Sequence, residues 1–188
     1  MKFFLVFLFI LSPSIYGQEI SFYREDMTFA LDRYHFTVNG FYWFANQSDK
    51  NCEKIIYYPF GNSSEKEQVD SVEVRTMTQN IIPVILGRNN NGFSFLLGIA
   101  ARDTEVVHVK YIQNIASDSV KYILSSTQQW NKALENAEYK LIVDKQIQLT
   151  SFSYKPDRVY VIQDNKIYYW ARSNFMPSSD MIFHFKYK

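Results

Sequence analysis

The chain has 188 residues, enough for one domain with a substantial core and short for two. Its formal net charge is +1, and without residues 1–17 it carries 19 basic and 19 acidic residues, a balance with no electrostatic footprint for nucleic acid or an anionic membrane. Cys52 is the single cysteine, which excludes an internal disulfide framework and leaves a free, partly buried thiol as the expectation.

Residues 1–17 read as a signal peptide. Lys2 is a minimal positive start, Phe3 to Leu11 is an unbroken apolar run, and Ser12-Pro13-Ser14 breaks it. Gly17 is the small residue before the expected cut, so the exported chain begins at Gln18. The apolar run is shorter than the roughly 18 residues of a membrane-spanning helix. An exported, periplasmic or secreted protein of bacterial origin is the expectation, because a eukaryotic extracellular domain of this size ordinarily carries several cysteines.

Met27, Phe29 and Leu31 alternate with smaller residues and predict a first strand. Asp32 to Asn46 predicts a long central strand, rich in aromatic and β-branched residues and free of proline. Phe41-Tyr42-Trp43-Phe44 puts large rings on both parities, as in a strand covered on both faces. Gly40 marks a bulge or a close approach. Lys54 to Phe60 predicts a strand closed by Pro59, and residues 61–68 a polar loop. After an alternating strand at Val69 to Thr76, the runs Ile81–Leu86, Phe93–Ala100 and Glu105–Ile112 lie close together. Their short turns, with Asn91-Gly92 in the first, predict an antiparallel meander. Val120 to Leu124 follows.

Trp130, Ala133, Leu134 and Ala137 fall at helical spacing, and Ser126 with Gln129 resembles a capping box. These predict one helix of about three turns over Ser126 to Tyr139. Strands resume at Tyr139–Val143 and Gln148–Tyr154. Arg158–Ile162 and Lys166–Arg172 flank a turn at Gln163-Asp164-Asn165, and Met181 to Tyr187 closes the chain in strict alternation. The fold expected is mostly β: a single antiparallel β-sandwich, immunoglobulin-like or larger, of about ten strands with one short α-helix, in one domain over residues 18–188.

Catalytic and metal motifs are not apparent. His35, His108 and His184 sit on separate predicted strands, away from each other and from Cys52, so no metal site is expected. No Gly-x-Ser-x-Gly turn or phosphate loop occurs, and no cofactor is implied. Asp157 with Asp164, or Glu19 with Glu25, are the carboxyl pairs on which a carbohydrate-active enzyme could rest. Asn46-Gln47-Ser48 and Asn62-Ser63-Ser64 match the glycosylation sequon, relevant only in a eukaryotic host. The outstanding feature is aromatic content, 18% of the chain. Either the surplus rings pack in a core, or Trp43, Tyr57, Tyr168 and Trp170 include an exposed platform for an envelope protein or glycan.

The pattern Met27-x-Phe29-x-Leu31, Phe36-x-Val38, Phe41-x-Trp43-x-x-Asn46, Ile56-x-Tyr58-Pro59-Phe60 resembles the opening of exported bacterial β-sandwich proteins of unknown function. The ending resembles them too: Tyr169-Trp170, Asn174-Phe175-Met176-Pro177 and Asp180-Met181-Ile182-Phe183-His184-Phe185. The resemblance implies a sandwich and a cell-envelope address, and it brings no functional residue with it. The function expected is a non-catalytic binding or interaction module; a carbohydrate-active enzyme and an envelope-complex subunit are the alternatives.

Overall fold

Alternation of buried and more exposed positions runs through most of the strands. The structure, a computed structural model, describes residues 20–61 and 67–188. The signal segment, Gly17, Gln18, Glu19 and the sequon at Asn62 lie outside the described residues. The strands are β1 (Ile20–Leu31), β2 (His35–Asn46), β3 (Cys52–Pro59), β4 (Val69–Thr76), β5 (Ile85–Asn89), β6 (Gly92–Ile99) and β7 (Thr104–Asn114). They continue with β8 (Ser119–Tyr122), β9 (Leu134–Val143), β10 (Ile147–Phe152), β11 (Arg158–Ile162), β12 (Asn165–Phe175) and β13 (Met181–Tyr187).

A seven-stranded sheet runs in the order β11-β12-β9-β1-β2-β7-β4, and two three-stranded sheets run β10-β13-β8 and β3-β6-β5. Both small sheets pack on the same face of the large one. Phe29 lies 5.8 Å from Phe183 and 5.1 Å from Tyr122, while Tyr42 lies 5.6 Å from Tyr58, ring centre to ring centre. The mostly-β expectation holds, but the large sheet is mixed rather than antiparallel: β1 runs parallel to β9 from Arg24↔Asn136 to Leu31↔Val143. Thirteen strands, not about ten, occur among the described residues.

The predicted helix is absent. Ser125–Trp130 forms a 3-10 turn, Asn131 ends it at φ 51°, and Leu134 already belongs to β9. The capping box does not form either, because Asp180 Oδ1 accepts from Leu124 N, Ser125 N and Ser125 Oγ and so anchors the start of the turn from β13's end of the chain. Leu134, Ala137, Tyr139, Leu141 and Val143 are all buried on β9. A strand with one break in its alternation therefore reproduces helical spacing at 130, 133, 134 and 137.

The predicted meander is broken in two places. Pro83 lacks a donor, and Ile81, Ile82 and Val84 lie outside any strand and exposed; β5 begins only at Ile85. The turn after β6 also does not close a hairpin. Arg102, at φ 58°, hands the chain from the small sheet to the large one, where β7 pairs with β2 and β4. Asn46 fixes this crossing: its Nδ2 donates to Lys50 O (2.7 Å), Ile99 O (3.1 Å) and Ala100 O (2.9 Å). At 2% exposure, Asn46 is a structural strut rather than an open glycosylation acceptor.

The hairpin between β11 and β12 forms as expected, with Gln163 at φ 49° and Asp164 at φ 64°, the paired left-handed residues of a tight two-residue turn. Gly40 is not a bulge. It pairs in regular register with Met27, and a Cβ there would lie 2.3 Å from Met27 Sδ and 2.9 Å from Tyr42 Oη. The glycine makes room for those two side chains.

Candidate functional site

The irregularity that matters lies earlier, in β1. Phe22 pairs with Phe44 and Arg24 with Trp43, so Tyr23 is an extra residue without a partner on β2. Strict alternation would put Phe22 and Glu25 on opposite faces; the bulge at Tyr23 puts both inside. Arg24 turns outward, where its guanidinium lies 4.4 Å above the Trp43 ring and pairs with Asp26 at 2.6 Å. A carboxyl thereby enters the space between the sheets at 1% exposure.

The strands around Glu25 supply hydroxyls. Tyr42 stands directly across on β2. Tyr139 lies on β9, two positions past Ala137, the parallel partner of Glu25. Tyr139 Oη donates to Glu25 Oε1, and Tyr122 Oη, from β8, donates to Oε2 at 2.9 Å. Tyr42 Oη lies 3.2 Å from Tyr122 Oη and 2.6 Å from Tyr58 Oη. Because Tyr122 uses its only proton on the ionised carboxylate, Tyr42 donates to Tyr122 and Tyr58 donates to Tyr42. The hydroxyl chain thus points toward Glu25. Burial pushes the Glu25 carboxyl up to about 7; donation from Tyr139 and Tyr122 opposes the rise and the Asp26 charge adds to it. Burial likewise holds the Tyr42, Tyr58, Tyr122 and Tyr139 hydroxyls well above the ordinary phenol range.

This network floors a cavity with about 50 Å³ open to the centres of water-sized molecules. All three sheets and the 3-10 turn contribute walls: Phe22 and Phe44 from the large sheet, Ile56 and Phe95 from one small sheet, Tyr122 from the other, and Trp130 from the turn. Phe22, Phe44 and Trp130 form a ring cluster with centres 5.3 to 5.9 Å apart. Glu25 is the one carboxyl in the lining, which includes no Lys, Arg or His. An apolar concavity with a few convergent polar groups is the usual form of a ligand site. A wider groove of about 480 Å³ runs between β4 and β5 past Val74, Ile82, Ile85 and His108, and Ile82 is 70% exposed there.

The four aromatic candidates divide. Trp170 is fully buried, donating Nε1–H to Tyr154 O at 2.9 Å, and Tyr168 is buried beside it. Tyr57 is exposed at the edge of the Glu25 cavity, where it donates to Asn91 O at 3.0 Å. Trp43 is half-buried on the outer face with Phe41. Among the described residues no sheet covers that face. Phe41-Tyr42-Trp43-Phe44 is therefore packed on one side and only partly screened on the other, by side chains such as Arg24 and His108.

Of the carboxyl pairs, Glu19 lies outside the described residues, and Asp157 and Asp164 each hold partners of their own. Asp157 accepts from Ala171 N and from Arg172, which hold its pKa below the ordinary carboxylate range, and Asp164 pairs with Lys145 at 3.2 Å. Burial lowers the pKa of His108, which bonds Asn39 Oδ1 at 2.6 Å and stacks on Phe41. His35 and His184 lie on other strands, and no group of three or more His, Cys, Asp or Glu residues suited to a metal occurs among the described residues. Among those residues no helix is long and apolar enough to cross a membrane. The sequence carried one missed signal. Ile20 and Phe22 are apolar at even positions, Met27, Phe29 and Leu31 at odd ones, so an extra residue had to lie between them with Glu25 in the inward series.

No protein-family model and no curated relative matches the sequence. In three dimensions the chain is similar to a protein of Legionella pneumophila provisionally described as nutrient binding, with TM-score 0.73 and 13% identity over 90% of this chain and 67% of that one. It is also similar to part of an M1 zinc metallopeptidase of Deinococcus radiodurans. The substrate-bound form gives TM-score 0.53 at 8% identity, and another structure of the enzyme gives 0.54 at 6%. The chain spans 42–43% of the peptidase and 89% of itself is covered. These likenesses describe the fold, and the Legionella protein agrees with the resemblance to bacterial β-sheet proteins.

Proposed function

We propose that this protein is a non-catalytic binding module exported to a bacterial cell envelope, and that the Glu25 cavity is its ligand site. One observation carries the reading. Three sheets and the 3-10 turn meet around an aromatic space into which a strand bulge turns a carboxyl, at the cost of burying that carboxyl. Bulges that re-aim a side chain are concentrated at working sites. The lining offers no second acid, so the paired-carboxyl chemistry of a glycosidase has no partner there, and holding a ligand is the role the geometry favours. The description of the Legionella neighbour as nutrient binding runs in the same direction. Export rests on the apolar segment Phe3 to Leu11 and the small residue Gly17.

The test is a thermal-shift screen of small metabolites and envelope fragments against the purified protein and a Ser126→Trp variant, which places a bulky ring in the cavity wall. Hits that stabilise the protein and vanish in the variant support the reading; hits indifferent to the variant remove the cavity from it. N-terminal sequencing of the protein recovered from a bacterial periplasm should begin at Gln18, and retention of the full chain in the cytoplasm would refute export.

A second reading, a subunit of an envelope complex, rests on β11. It forms one edge of the seven-stranded sheet, with Val159, Val161 and Ile162 at 45%, 66% and 52% exposure. Such an edge is open to strand addition by a protein partner. Pull-down from envelope extracts with the protein and a Val161→Lys variant distinguishes specific capture from its absence.

A further inference from the structure

Glu25 is a buried carboxyl without a counter-ion. Its two hydrogen-bond donors are neutral phenols, its neighbour Asp26 has its own charge, and the lining contains no basic side chain. A buried ion without an opposite charge is a costly arrangement, relieved either by taking up a proton or by a partner ion. Each carboxylate oxygen accepts one hydrogen bond from a tyrosine and keeps a further acceptor site. Beside the carboxylate the lining is mostly apolar and aromatic, with the Ser126 and Thr127 hydroxyls on the turn, and the tyrosine hydroxyl protons nearest Glu25 are already used within the chain to it. The lining offers hydroxyls for further hydrogen bonds but no positive charge to answer Glu25. A compact cation with apolar substituents finds both a negative charge and aromatic walls.

We infer that the Glu25 cavity binds a small organic cation, with an alkylammonium group against the Glu25 carboxylate and its alkyl portion on Phe22, Phe44 and Trp130. The inference rests on the reading of the cavity as the ligand site and names the ligand class. Lys54 Nζ already lies 4.4 Å from the Trp130 ring centre, an internal instance of the same attraction. The titratable groups facing Glu25 are Tyr139, Tyr122 and Tyr42 with Tyr58 behind it, and the tyrosines stay neutral through the working pH range. Asp26 follows on the same strand.

The probes are choline chloride, propylammonium chloride and the neutral isostere of choline, 3,3-dimethylbutan-1-ol. Proton–nitrogen NMR of the purified protein separates the indole signals of Trp43, Trp130 and Trp170. Choline and propylammonium should shift the Trp130 signal saturably, and the alcohol should not. With the carboxyl titrating at about 7, choline should bind about tenfold more tightly at pH 8 than at pH 6. Glu25→Gln, verified as folded by its unfolding midpoint, should bind choline on the order of 30-fold more weakly at pH 8 and lose the pH dependence. Equal binding of the alcohol, or unchanged choline affinity in Glu25→Gln, overturns the cation while leaving the cavity as the site. If no probe moves Trp130, the cation is likewise overturned, and the cavity then stands or falls with the metabolite screen.

Discussion

Replacing Glu25 by Gln should make the protein more stable at pH 8 and flatten its response to pH. In the unfolded chain the carboxyl titrates near 4.5, whereas in the folded protein it titrates at about 7. Between those values the native state holds a proton that the unfolded state has released, so stability falls as pH rises. The loss begins near the unfolded value and is complete above the folded one. The full penalty is about 3 kcal/mol, of which roughly 2 to 3 kcal/mol accrues between pH 5 and pH 8. Glutamine keeps an oxygen for Tyr139 or Tyr122 and does not ionise. The assay is urea unfolding of both proteins at several pH values, read as the difference between them so that other titrating groups cancel. Curves for the two proteins that stay parallel from pH 5 to pH 8 would refute the burial of an unpaired Glu25.

Deleting Tyr23 repairs the alternation of β1 without changing the face of any neighbour, whereas deleting Thr28 forces one half of the strand to turn over; the first variant should stay folded and soluble and the second should not, as circular dichroism of the purified variants will show. Gly40→Ala should lose about 1 to 3 kcal/mol by overpacking, and Met27→Ala should restore part of it, a coupling measurable by a double-mutant cycle in urea. Trp170→Ala should cost about 3 to 5 kcal/mol and Trp43→Ala much less, since one ring is wholly enclosed and the other half-open; equal costs in unfolding experiments would contradict the assigned faces. Asn46→Ala should lower stability by roughly 2 kcal/mol or more, because three carbonyls lose a shared donor at the crossing between sheets; an unchanged midpoint would remove Asn46 from that role.

Strand-forming composition and turn signals were enough to place β2, β11, β12 and β13, of which β13 alternates most strictly. It failed where two patterns coincide. Trp130, Ala133, Leu134 and Ala137 satisfy a helix, yet the segment is a short turn entering a strand, and nothing local separates the two until β1 supplies a partner. The meander failed because turn residues specify a reversal of direction but not which sheet receives the next strand; Asn46, more than fifty positions before Ala100, makes that choice. Ring-rich strands likewise did not tell core from platform, since Trp170 and Trp43 sit in similar aromatic runs and differ only in what lies across from them. The cavity was the least legible feature. Its walls come from residues between Phe22 and Trp130 on separate sheets, and the one local clue was the change of parity across Tyr23.

The parallel seam between β1 and β9 sets an order of assembly. On one side of it, β1, β2, β7 and β4 meet through antiparallel pairings; on the other, β9, β12 and β11 do the same over shorter separations. Glu25 and Tyr139 face each other across the seam from 114 positions apart, and loop-closure entropy delays contacts of that kind. Pulsed hydrogen exchange during refolding should find β2 and β7 amides protected before those joining β1 to β9, and simultaneous protection would contradict this order. A chain emerging amino terminus first therefore presents β1 with one open edge for most of its synthesis. On this order the carboxyl meets Tyr139 only when the two halves of the large sheet close, so the site is completed late rather than with the first hairpin.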